Sequence, residues 1–144
     1  MRVVLDSTLR LPLDSRLAKS AREVAVWVIA GLQAPHSAEG SLRAQGVDVC
    51  RVAATSGRLD LAAVLKLLAD RGITRLLVEG GPTLATALLA ADRVDEAMLF
   101  KSAKSVGADA IDAFDQAASG ALSRLTLAET EQIGPDRLEI YQRE

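Results

Sequence analysis

The chain has 144 residues, enough for one domain with a real core, and 1–144 is read as a single unit. It is 49% hydrophobic but only 3% aromatic, so that core is Leu, Val, Ala and Ile; the formal charge is −2, with both signs mixed along the chain. This argues against a nucleic-acid partner, which needs a basic patch with stacking aromatics, and no apolar run is long enough to span a membrane.

From the start, residues 2–5 are a short β-branched run ending at Asp6-Ser7. Pro12 disfavours helix in the loop before it. Residues 17–22 suit a short helix, and 24–29 give the clearest strand, apolar on both faces. His36 lies in a loop rich in Pro, Ser and Gly. A helical turn over 38–45 ends at Gly46, and a strand over 47–52 carries Cys50 as a small buried residue. One cysteine allows no internal disulfide and fits a reducing, cytoplasmic setting; one His and one Cys make neither a usual zinc site nor a nucleophile pair. No signal peptide is expected.

Residues 55–57 are turn-like. Asp60 is placed to cap a helix running to Arg71, with Leu61, Val64, Leu65 and Leu68 on one apolar stripe and Gly72 as its stop. A buried strand is expected over 73–79 and a helix from Pro82 to about Ala91. A further strand covers 94–100, 101–110 is loop, and 111–118 is too short and mixed to assign. Two last strands, 125–133 and 138–141, flank Gly134-Pro135-Asp136 as a C-terminal hairpin. Strands alternating with helices and then a hairpin predict an α/β fold: three layers, a mostly parallel sheet with helices on both faces, and an antiparallel C-terminal pair.

The rest of the chain is organised around residues 76–89. Leu76-Leu77-Val78 is an apolar run ending at Glu79. Gly80 and Gly81 then leave room for a bend and for close approach of a ligand. Pro82 suits the first helical turn, and Leu84, Ala87, Leu88 and Ala91 follow at helical spacing. Free N–H groups at a helix start, beside a strand-end carboxylate, suit a phosphate or diphosphate. The same residues also suit plain helix capping, and on these residues alone capping comes first. The turn is neither G-x-x-x-x-G-K-S/T nor G-x-G-x-x-G.

Together, Val3-Val4-Leu5-Asp6-Ser7 with Arg10 and Pro12, Glu79-Gly80-Gly81-Pro82-Thr83-Leu84 after an apolar strand, Val94-Asp95-Glu96, and Gly134-Pro135-Asp136 resemble one family in order and spacing. It is the reductase domain of the bifunctional riboflavin-pathway deaminase–reductases (RibD), with a dihydrofolate-reductase-like fold. The resemblance implies NADPH-dependent reduction of 5-amino-6-(5-phosphoribosylamino)uracil to its ribitylamino form, by hydride transfer to C1′ with opening of the ribose. It also implies that Gly81, Pro82, Thr83, Leu84, Ala85, Thr86 and Ala87 hold the cofactor, that Ser7 contacts it, and that Glu79 contacts the substrate. Asp6 and Arg10 follow as lesser candidates. No acid or base is nominated, and a homodimer is expected.

Three departures qualify the resemblance. There is no H-x-E or P-C-x-x-C, so no deaminase domain is expected. The family's reductase opens with a strand carrying Ser-x-Asp-Gly and then a helix; both are expected to be missing here, along with much of the substrate pocket. Residues 102–107 lack the proline of the family's Ala-Pro-x-x-x-Gly stretch. Two other readings therefore stand beside the reductase: a non-catalytic, self-associating domain that binds NADPH weakly, and a generic α/β nucleotide-binding module.

Overall fold

The apolar run after residue 24 becomes the middle strand of a parallel sheet. The computed structural model describes residues 1–104, 107, 110–113 and 120–144 and divides the chain into two units, Met1–Leu76 and Leu77–Glu144. The expected loop over 101–110 and the unassigned stretch over 111–118 fall partly outside the described residues.

In the first unit, strands β1 (Arg2–Leu5), β2 (Val26–Gly31) and β3 (Asp48–Val52) pair in parallel in that order. Helix α1 (Arg16–Lys19) joins β1 to β2, and α2 (His36–Ala44) joins β2 to β3. Alternation along β2 sorts its side chains between two cores. Val26, Val28 and Ala30 pack with Leu42 and Val49, and with Leu17 and Ala38 of the helices. Ile29 packs on the other face with Val52, Val64 and Leu68, and Trp27 flanks it. Val64 and Leu68 belong to α3 (Leu61–Asp70), so helices cover both faces as expected. Asp60 caps α3 by accepting from the N–H groups of Ala62 and Ala63, at 2.9 and 3.2 Å. A short hairpin, β4 (Ala54–Thr55) with β5 (Arg58–Leu59), turns at Ser56 and Gly57, both at positive φ.

The second unit holds α4 (Pro82–Ala90) and an antiparallel sheet of β6 (Glu96–Lys101), β7 (Thr126–Ile133) and β8 (Asp136–Gln142) in the order β6-β8-β7. The expected C-terminal hairpin is β7–β8, with Gly134 at φ +58 in its turn. Leu89 packs with Ala121 beside Val94 and Leu122. Glu139, buried in β8, is matched by Lys101 at 2.6 Å, Arg137 at 2.8 Å and the Tyr141 hydroxyl at 2.8 Å.

One expected element is not there. Residues 74–80 form no strand or bridge, and Leu77 is 77% exposed. A strand needs a ladder partner as well as an apolar run, because unpaired main-chain groups stay with solvent. Leu76-Leu77-Val78 supplies the pattern and finds no partner among the described residues. No helix among them is long and apolar enough to cross a membrane.

Candidate functional site

The site residues expected from the sequence divide between the two units. Ser7 belongs to the first; Glu79 and Gly81 through Ala87 belong to the second.

In the first unit a cleft of about 310 Å³ opens at the carboxyl ends of the three parallel strands, the side of such sheets where ligands bind. Ser7 and Thr8 after β1, residues 31–34 at the end of β2, and Ala53, Ala54 and Gly57 line it. Gly31 lets this end close up. Its N–H donates to the Ser7 carbonyl at 3.0 Å, and a Cβ on it would lie 3.0 Å from that oxygen and 3.2 Å from the Ala54 Cβ. Asp6 lies beside this cleft but shapes the loop. One carboxylate oxygen accepts from the Leu11 N–H at 2.8 Å, and the turn closes with Leu9 N–H on the Asp6 carbonyl. Arg10 stands 3.7 Å from the Asp6 carboxylate with its side chain in solvent.

The wall at 31–34 is fastened from behind. Arg51, in β3, donates to the carbonyls of Gly31 (3.2 Å), Leu32 (2.8 Å) and Ala34 (2.9 Å). It also donates twice to the Glu39 carboxylate, at 2.7 and 2.9 Å. Arg43 adds a 2.9 Å contact, so the Arg51 guanidinium first, and then that of Arg43, hold the Glu39 carboxyl below its usual range. His36 is exposed, 3.8 Å from the same carboxylate. Cys50 is buried in β3, and burial pushes its thiol up, which makes it unreactive.

In the second unit, Gly81 is the N-cap of α4 in an extended conformation, with Pro82 in the first turn and no side chain capping the helix. The N–H groups of Leu84 and Ala85 share the Gly81 carbonyl at 3.1 and 3.2 Å. Among the described residues, the N–H groups of Gly81 and Thr83 have no partner. A Cβ on Gly81 would meet nothing within 4 Å, whereas one on Gly80 would lie 2.8 Å from Leu84 Cδ2. Leu84, Ala85, Thr86 and Ala87 continue the helix half-buried, and Glu79 is exposed just before it.

Residues 1–138 match the family described as the RibD C-terminal domain. The chain belongs to that family. It is similar to the riboflavin biosynthesis protein RibD of Actinobacillus pleuropneumoniae, 35% identical over 150 residues, covering 98% of this chain and 38% of that protein. It is also similar to the 2,5-diamino-6-ribosylamino-4(3H)-pyrimidinone 5′-phosphate reductase of Archaeoglobus fulgidus, 34% identical over 101 residues, covering 69% of this chain and 43% of that one. A pyrimidine reductase-like protein from Corynebacterium diphtheriae shares the fold at TM-score 0.78 and 21% identity, over 97% of this chain and 59% of that one. RibD of Acinetobacter baumannii does so at TM-score 0.76 and 23% identity, over 99% and 37%. The fold is therefore the expected dihydrofolate-reductase-like α/β fold. The chain spans under half the length of these curated relatives.

Sequence reasoning passed over Thr8, Gly31, Gly57 and Arg51. Gly31 carried a usable signal, a glycine closing an apolar strand. Arg51 carried none, because a charged residue in a strand reads as a solvated face.

Proposed function

We propose that this chain is an NADPH-dependent pyrimidine reductase of riboflavin biosynthesis, acting on 5-amino-6-(5-phosphoribosylamino)uracil to give the ribitylamino form. Membership of the RibD C-terminal family over residues 1–138 carries this reading. The residues present fit the cofactor. The open volume at Gly81 is what a ligand would fill, and the Gly81 and Thr83 N–H groups are available as donors. In this reading residues 81–87 hold the diphosphate, and the α4 dipole adds partial positive charge there. The Ser7 hydroxyl donates to a phosphate group in the carboxyl-end cleft. The exposed Glu79 carboxylate accepts hydrogen bonds from substrate hydroxyls. NADPH, when bound, supplies the hydride that reduces C1′ and opens the ribose. The chain's own part is binding and orientation.

Charge keeps the phosphorylated substrate and the cofactor inside the cell, so we place the protein in the cytoplasm. The test is turnover: purified chain, NADPH and the phosphoribosylamino-pyrimidine should give equal amounts of oxidised cofactor and ribitylamino product. Cofactor that binds but stays reduced refutes the activity.

A second reading has its own observation. Leu76, Leu77 and Val78 are exposed and lie in no strand, the kind of apolar run that recruits a strand from another chain. A reductase-like domain that self-associates, as a homodimer, and binds NADPH weakly would account for it. Sedimentation should then show association; a well-folded monomer at high concentration counts against it.

A further inference from the structure

The carboxyl-end cleft has one wall, residues 31–34, in which packing at Gly31 and Ala34 is joined by a charged side chain. Residues 31–34 connect β2 toward α2, and Leu32 and Gln33 are exposed. A turn bond from the Ala34 N–H to the Gly31 carbonyl at 3.0 Å closes this segment, and Arg51 fastens its carbonyls. Its Nη1 donates to the carbonyls of Gly31 and Leu32, its Nη2 to the carbonyl of Ala34 and to Glu39, and its Nε to Glu39 again. Thus all of the guanidinium's five donors are used. The side chain is 17% exposed and that of Glu39 16%. The carboxylate therefore holds the fork while three carbonyls from four consecutive residues converge on it.

That convergence has a consequence for the amides. The peptide is planar and trans, so its N–H points opposite to its C=O. No cis peptide is present among the described residues. Pulling the Leu32 carbonyl onto Arg51 turns the Gln33 N–H to the opposite side. Among the described residues that N–H has no partner, and Gln33 lines the cleft with Ser7. The Leu32 N–H, by contrast, is already spent on the Val52 carbonyl at 3.1 Å.

We propose that Arg51 is a positioning residue for this cleft: it holds the Leu32–Gln33 peptide so that the Gln33 N–H, in the cleft that Ser7 also lines, receives an anionic phosphate group of the ligand. Glu39 is its anchor. Lysine cannot replace it, because an ammonium offers three donors from one point and cannot span a carboxylate and three carbonyls. The proposal deepens the cofactor reading above and rests on it.

The experiment compares the full chain with R51K, R51M and E39Q. It reads Gln33 amide NMR shifts during titration with NADPH and, separately, with inorganic phosphate, together with amide exchange at Leu32 and Ala34 in the free protein. In the wild type the Gln33 amide should move with both ligands. In R51M exchange at the hydrogen-bonded Leu32 and Ala34 amides should quicken, the Gln33 shift should vanish, and NADPH affinity should fall about tenfold, the worth of one hydrogen bond to an anion. R51K and E39Q should lie between. If R51M does not fold, R51K and E39Q carry the comparison. A folded variant that keeps wild-type exchange or wild-type affinity overturns the positioning role. A wild type in which phosphate moves Gln33 but NADPH does not bind overturns the cofactor reading and leaves the peptide orientation standing. A wild type in which neither ligand moves Gln33 overturns the proposal itself.

Discussion

Gly31→Ala isolates the close approach that shapes the cleft. The new Cβ would sit 3.0 Å from the Ser7 carbonyl oxygen and 3.2 Å from the Ala54 Cβ. The oxygen is main chain, so it can yield only by bending the end of β1. That movement stretches the 3.0 Å bond from the Gly31 N–H to Ser7. Overpacking of this kind costs about 1–3 kcal/mol. Weakening the hydrogen bond adds part of the roughly 1 kcal/mol such a bond contributes. Against this, replacing glycine restricts the unfolded chain and returns about 0.4–1 kcal/mol, since Gly31 is not at positive φ. The balance is a loss of about 1–2 kcal/mol, on the scale of the overpacking cost, with Ser7 displaced from its place in the cleft. Urea unfolding gives the stability and a titration gives the affinity for NADPH. A variant as stable as the wild type, with unchanged affinity, refutes the reasoning.

Other perturbations probe separate elements. Asp60→Ala removes the acceptor of two N–H groups at the start of α3 and should cost about 1 kcal/mol in urea unfolding. Leu68→Ala, at a position 2% exposed between α3 and the sheet, should cost about 2–5 kcal/mol. Gly40 lies inside α2 with open space around it, so Gly40→Ala should stabilise by about 0.5–1 kcal/mol. Arg51 and Arg43 hold the Glu39 carboxyl below its ordinary 4.5. Its stabilising contribution is therefore complete above that pH and drains away as the pH falls through the lower folded value. Unfolding measured against pH should steepen there for the wild type and flatten for Glu39→Gln; equal slopes contradict it.

Much of the fold was legible because its elements announce themselves locally. The alternation of Val26, Val28 and Ala30 against Trp27 and Ile29 shows a strand covered on both faces, and Asp60 and Gly72 bracket α3 without tertiary help. The miss at 73–79 has the opposite cause. An apolar run specifies burial, but ladder pairing is a property of a neighbour, and no sequence window contains it. For the site, Gly81 and Pro82 were readable as a helix start with free amides, since cap chemistry is local. The wall at 31–34 was not, because its shape depends on a contact from Arg51, seventeen to twenty residues on.

NADPH titrated into the wild type and Gly81→Val tests most directly whether the N-terminus of α4 seats the cofactor's diphosphate. A Cβ at Gly81 meets nothing within 4 Å among the described residues, so valine should cost only about 1 kcal/mol, as a poorer N-cap, while removing measurable affinity. Equal affinity in the two proteins would contradict it.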